Sequence, residues 1–187
     1  MKKIIITLLS IASIAHATTI AWNAEGENVF DFYDSENWDF SESELQEIDR
    51  ELPTASNLII TDAFIMEDSP SYSNIEIGDG FSVTLVSSTF IFQNANGFSG
   101  VNDEDDTFST VDLTQESVMD AMFSSLGLEI NVDSTSSLTL RGSGDAINSL
   151  AERSVVNLSQ NAKLTLDSIE EFAEQGDDIL LNGVSFT

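Results

Sequence analysis

The segments Ile75-Glu-Ile77 and Val83-Thr-Leu85 form a sequence motif that occurs three times in the chain. It returns as Ile130-Asn-Val132 with Leu138-Thr-Leu140, and as Val156-Asn-Leu158 with Leu164-Thr-Leu166. Side chains in a strand alternate between two faces, so each copy predicts two short, half-buried strands joined by a polar bend. The residues in the bends, such as Gly78-Asp-Gly80, are those that turn chains.

One such unit cannot bury its apolar face alone, whereas stacked copies bury a continuous core. The chain is therefore predicted to be mostly β, a β-solenoid over residues 57–187 with short helices between its rungs. Patterns typical of short helices follow copies two and three at residues 145–153 and 168–175. Ile179 begins a further copy that ends at Phe186, and the open edge this creates favours a chain that continues past Thr187.

Residues 1–17 have the pattern of a secretory signal peptide. Lys2 and Lys3 precede an apolar run, and Ala15-His-Ala17 fits a small-x-small cleavage site. Such a segment is too short for a spanning helix, and no transmembrane segment is expected after its removal. The expected location is secreted or at the cell surface of a bacterium.

The composition excludes several classes of function. The chain has 33 acidic and 6 basic residues and a net charge of −27, which disfavours nucleic acid and anionic lipid as partners. There is no Cys, and the only His lies in the signal peptide. The mature chain therefore has neither the imidazole nor the thiol that Ser–His or Cys–His catalysis and most zinc sites require. Carboxylate pairs remain chemically able to cleave glycosides.

Residues 18–56 are predicted to form an N-terminal cap, with a short helix that begins at Ser41 and ends before Pro53. This region interleaves aromatic and acidic residues. Two uses of the rings compete: a platform that stacks on sugars, formed by Trp22, Tyr33 and Trp38, or a buried lid over the first coil. The lid is the preferred interpretation, and the three rings are kept as a candidate carbohydrate site.

Residues 94–110 are predicted to be an acidic loop that bulges from the solenoid. Calcium is the one cofactor that the acidic composition favours, and Asp103, Asp105 and Asp106 of this loop are the candidate ligands. The loop matches no EF-hand spacing, so a solvated acidic loop is the alternative. Residues 114–126 are predicted to be a helix, with Thr114 as the N-cap and an apolar stripe from Val118 to Leu126.

The opening Trp22 … Asn37-Trp-Asp39 … Leu52-Pro-Thr54 … Asn57-Leu-Ile-Ile60, followed by Ser-Val-Thr-Leu and Ser-Leu-Thr-Leu repeats, resembles the secreted β-helix repeat proteins of bacteria. These proteins are similar to autotransporter passenger domains and are often carried with a PEP-CTERM sorting tail. The resemblance implies a right-handed parallel β-helix, association with the cell surface or with exopolysaccharide, and no established activity.

Two functions are expected from these observations. The preferred one is a non-enzymatic, structural or adhesive extracellular β-solenoid that is associated with a surface or matrix. The alternative is a β-helix protein that binds or cleaves polysaccharide. The expected partners are extracellular polysaccharide or other components of the cell surface.

Overall fold

In the computed structural model, the residues that the structure describes are 19–23, 27–28, 32–41, 45, 47, 54–67, 75–93, 97–100, 108–122, 128–141, 154–167 and 179–182. They are mostly β. The strands are β1 Thr19–Trp22, β2 Glu27–Asn28, β3 Trp38–Asp39, β4 Asn57–Thr61, β5 Phe64–Glu67, β6 Ile75–Ile77, β7 Ser82–Val86, β8 Thr89–Phe92, β9 Phe98–Gly100, β10 Ser109–Thr114, β11 Val118–Met122, β12 Leu128–Val132, β13 Ser137–Arg141, β14 Ser154–Leu158, β15 Lys163–Asp167 and β16 Ile179–Asn182.

The strands form three sheets. Sheet A has eight strands in the order β16-β14-β12-β10-β7-β4-β1-β3, and sheet B has six in the order β15-β13-β11-β8-β5-β2. Sheet C pairs β6 with β9. Neighbouring strands are parallel throughout, except that β3 runs antiparallel to β1 at the edge of sheet A.

The chain alternates between sheets A and B. We use the word pass for one strand of sheet A followed by one strand of sheet B, and the passes are β1–β2, β4–β5, β7–β8, β10–β11, β12–β13 and β14–β15. Each pass adds one parallel strand to both sheets. The connection from β5 to β7 contains β6, and the connection from β8 to β10 contains β9. These two strands pair with each other to form sheet C.

The inward side chains form columns in register. In sheet B one column runs Ile65, Phe90, Met119, Leu138 and Leu164. The first four are fully buried, and Leu164 packs against them partly buried. Full burial of such a side chain contributes about 1.5–3 kcal/mol. The columns are therefore the main source of stability of this fold.

The three copies of the motif are not equivalent in the structure. Copies two and three stack as predicted, with Leu138 opposite Leu164 in sheet B. In the first copy, however, Val83 lies in sheet A and is in register with Val111, while Ile75 lies in sheet C. The second half of copy one thus stacks in the same sheet as the first halves of the other two copies.

The helix predicted for residues 114–126 is wrong over its described part. Val118–Met122 is strand β11, which pairs with β8 on one side and β13 on the other. The two residues before it, Gln115 and Glu116, have φ values of 54° and 66° and so cannot continue a right-handed helix. Thr114, the predicted N-cap, ends β10, and its hydroxyl donates to the Leu85 carbonyl at 3.0 Å.

The predicted acidic loop is also partly incorrect, because Phe98–Gly100 is strand β9 and Ser109 begins β10. The other predicted helices, at residues 41–52, 145–153 and 168–175, lie outside the described residues apart from Ser41, Leu45 and Glu47. None of the ranges given above forms an α-helix, and their one helical element is a 3-10 turn at Ser35–Asn37. Nowhere in them is there a helix long and apolar enough to cross a membrane.

Candidate functional site

The candidate carbohydrate residues lie in an aromatic cluster at the start of the stack. Trp22, Tyr33 and Trp38 are 8%, 9% and 4% exposed, which leaves them without an open ring face for a sugar to stack on. Trp22 and Trp38 meet edge to face with ring centres 4.9 Å apart. This burial favours the lid over the stacking platform.

Phe32 connects this cluster to the core of the passes. Its ring is fully buried and lies 5.1 Å from the Trp38 ring and 6.1 Å from the Phe98 ring, measured between centres. Its carbonyl accepts a hydrogen bond of 2.6 Å from Trp38 Nε1, and its amide donates to Glu67 Oε2 at 3.0 Å. The backbone of Phe32 is thus held on both sides.

Glu67 is a carboxylate in an inward column. It is 2% exposed and in register with the fully buried Phe92 of the neighbouring strand β8. A buried charged group is costly unless it is hydrogen-bonded, and the Phe32 amide is one of its partners. Glu67 therefore anchors the N-terminal segment to the inner face of sheet B.

The predicted calcium ligands Asp103, Asp105 and Asp106 lie outside the described residues. Within the described ranges, no group of three or more His, Cys, Asp or Glu residues is placed to hold a metal ion. The calcium hypothesis therefore stays a prediction.

A ladder of serines forms the bends between sheets A and B. Ser88, Ser117 and Ser136 occupy equivalent positions in consecutive passes and are at most 2% exposed. The Ser136 hydroxyl accepts from the Ser117 amide at 3.1 Å, and the Ser117 hydroxyl accepts from the Ser88 amide at 3.2 Å. The Ser88 hydroxyl accepts in the same way from the Ala63 amide. Each bend is thereby bonded to the next, as buried polar groups require.

Asp133 stabilises the unusual bend of the preceding pass. Its Oδ2 accepts from the Gln115 amide at 2.7 Å, and its Oδ1 accepts from the Thr135 amide and hydroxyl at 2.9 Å. The Thr135 hydroxyl accepts in turn from the Glu116 amide. Burial raises the pKa of the Asp133 carboxyl, but hydrogen bonds from Gln115, Ser136 and Thr135 outweigh it and hold this pKa well below 3.8.

A second ladder lies on the outer face of sheet A. Asp112, Asn131 and Asn157 are in register on β10, β12 and β14. Asn131 Nδ2 donates to Asp112 Oδ1 at 2.9 Å, and Asn157 Nδ2 donates to Asn131 Oδ1 at 2.8 Å and to Glu129 Oε1 at 2.7 Å. We call these three residues the amide ladder. The sequence carried a signal for it, since Asn is the central residue of the first half of copies two and three.

A shallow depression of about 220 Å³ lies beside the amide ladder. Three consecutive strands contribute an equivalent aliphatic and polar pair to its lining, namely Leu113 and Thr114, Val132 and Asp133, and Leu158 and Ser159. Asn131 and Asn157 complete it. Sequence reasoning did not find this site, because its residues come from three passes and become neighbours only through the stacking of strands.

Arg141 is a basic residue of the repeat region that the structure places in a network on sheet B. Its Nε lies 2.5 Å from Asp120 Oδ1 of the neighbouring strand β11, and its Nη2 donates to the Phe92 carbonyl of β8. Both charged side chains keep about a third of their surface exposed, at 30% and 32%. Arg141 thus ties three strands together.

The comparisons with known proteins add no relative to this description. No family model, no curated protein and no solved structure matches the chain. The interpretation of function therefore depends on the residues and geometry described above.

Proposed function

We propose that the protein is a non-enzymatic extracellular module, a right-handed parallel β-helix that provides a structural or adhesive surface. The observation that carries the proposal is the repeated pass, because five consecutive passes add parallel strands in register to both sheets. Stacking of this kind gives a quasi-one-dimensional protein with long, regular faces. Such faces suit a spacer or an attachment surface.

The use of polar side chains supports the same function. The serine ladder, the amide ladder and the Arg141 network each bond one strand to the next along the stack. Donors and acceptors that are fixed in this way stabilise the register of the strands. The signal-peptide pattern of residues 1–17 supports secretion from a bacterium, and the charge of −27 keeps such a surface hydrated and repulsive to other anions.

Three measurements test this proposal. Small-angle scattering of the purified chain should give a profile that fits a stack of parallel strands with the dimensions of this structure, and expression of the full chain in a bacterium should yield extracellular protein that begins at Thr18. Incubation with dye-labelled polysaccharides should release no more dye than buffer alone. Release at a normal enzymatic rate would refute the non-enzymatic assignment, and a scattering profile that does not fit this stack would refute the β-helix.

A further inference from the structure

We propose that the depression beside the amide ladder is a binding site for one unit of a neutral, hydroxyl-rich polysaccharide. The inference deepens the proposed function, because it names a ligand for the extracellular surface and rests on that location. Three consecutive passes each contribute an aliphatic and a polar residue to the lining of the depression, and among the aliphatic ones Leu158 keeps accessible surface while Leu113 and Val132 are buried.

The lining of the depression offers both apolar surface and hydrogen-bonding groups. Leu158 keeps part of its surface accessible at the depression, and Ser159 is exposed. A sugar ring presents C–H groups on its face and hydroxyls around its edge, so it needs an apolar contact together with hydrogen-bonding groups. Leu158 supplies the first, while the Ser159 hydroxyl and the Thr114 oxygen supply the second.

Several polar groups of the lining are held in place before a ligand binds. Asn157 donates two hydrogen bonds within the outer face of sheet A, and Asp133 accepts bonds from Gln115 and Thr135. Groups that are ordered in advance lose little entropy on binding, which favours weak ligands such as single sugar units.

The volume of the depression and the net charge of the chain favour one unit of a neutral polymer. Enclosed sites for small molecules have volumes of roughly 300–1,000 Å³, whereas this depression measures about 220 Å³ and is shallow. It therefore suits a unit of a polymer better than a whole small ligand. The chain carries a net charge of −27, which opposes the binding of anionic polymers. A neutral glycan meets both conditions.

A matched pair of substitutions tests the site. Ser159→Trp fills the depression from an exposed position, and the backbone bonds of Ser159 to Val132 and Ala162 do not involve its side chain. Gln160→Trp is the control, because Gln160 is exposed in the same bend and does not line the depression. Ser159→Phe is the second blocking variant, used if Ser159→Trp lowers the melting temperature.

Affinity electrophoresis against neutral glycans (a β-glucan, a mannan and a xylan) and anionic ones (polygalacturonate and alginate) gives the readout. We expect wild type and Gln160→Trp to be retarded by at least one neutral glycan, and the blocking variants to lose affinity by about tenfold or more. Absence of retardation of the wild type by every neutral glycan overturns the inference, as does equal retardation of the blocking variants. Stronger retardation by the anionic glycans overturns the ligand class. A scattering profile that fits the stack, together with any of these results, leaves the proposed architecture standing.

Discussion

At the N-terminal end the stack covers its inward side chains with aromatic rings, whereas at the other described end Leu164 and Leu166 stay partly exposed. Phe90 and Leu164 stand in the same column of sheet B, yet Phe90 is fully buried under the cluster that contains Phe32. The comparison shows that burial in this fold depends on the position of a pass in the stack as well as on residue type. Side chains in the same column should therefore contribute unequally to stability.

The largest effect is expected from truncation of the column at its buried end. Phe90→Ala should lower the free energy of unfolding by about 3–5 kcal/mol, because it removes a fully buried ring and leaves a cavity. Leu164→Ala, in the same column, should cost less than about 2 kcal/mol since the Leu164 side chain is already partly solvated. Urea unfolding followed by circular dichroism measures both. Equal losses for the two variants would show that the ends do not differ energetically.

A smaller effect is expected at the carboxylate that holds the N-terminal segment. Glu67→Ala leaves the buried Phe32 amide without this acceptor and should cost about 1–3 kcal/mol. Glu67→Gln keeps an acceptor oxygen and should cost less.

Glu76→Ala is the control for Glu67→Ala. Glu76 is exposed on β6, so its substitution should change stability by no more than about 0.5 kcal/mol. The same urea titration measures all three variants. A loss for Glu67→Ala no larger than for Glu76→Ala contradicts the anchoring role of Glu67.

The smallest effect is expected in the middle of the stack and depends on pH. The folded-state pKa of Asp133 is lowered, so its carboxylate contributes stability that is present above about pH 4 and is lost as the pH falls toward the folded value. Asp133→Asn lacks this contribution. Wild type should therefore melt at a higher temperature than Asp133→Asn at pH 7, and the difference should shrink below about pH 4. A difference that stays constant from pH 7 to pH 2.5 would contradict the role of the carboxylate.

The local pattern of the chain was enough to predict a mostly β fold and the stacking of copies two and three, where Ile130 pairs with Val156 and Leu138 with Leu164. These strands have regular alternation and equal bends, so pattern and register agree. The prediction for the first copy was wrong because its bend runs from sheet C into sheet A, whereas the bends of copies two and three run from sheet A into sheet B. Spacing alone does not distinguish a bend from sheet A to B from one that enters sheet A from sheet C.

The helix prediction for residues 114–126 was wrong because contacts with residues far along the chain determine the local backbone. An apolar run from Val118 to Leu126 fits both periodicities, and short runs of this kind are ambiguous. The bend at Gln115 is set by Asp133 and that at Glu116 by Thr135, which lie 18 and 19 residues further along the chain. No local pattern contains that information. The depression at Ser159 was out of reach for the same reason, since three passes build it.

The serine ladder fixes consecutive bends at unequal separations along the chain: 25 residues from Ala63 to Ser88, 29 from Ser88 to Ser117, and 19 from Ser117 to Ser136. Nineteen residues are therefore sufficient for a complete unit. A tandem duplication of residues 118–136 should lengthen the protein by one strand spacing, about 4.8 Å. The number of such units in the gene would then determine the length of the protein.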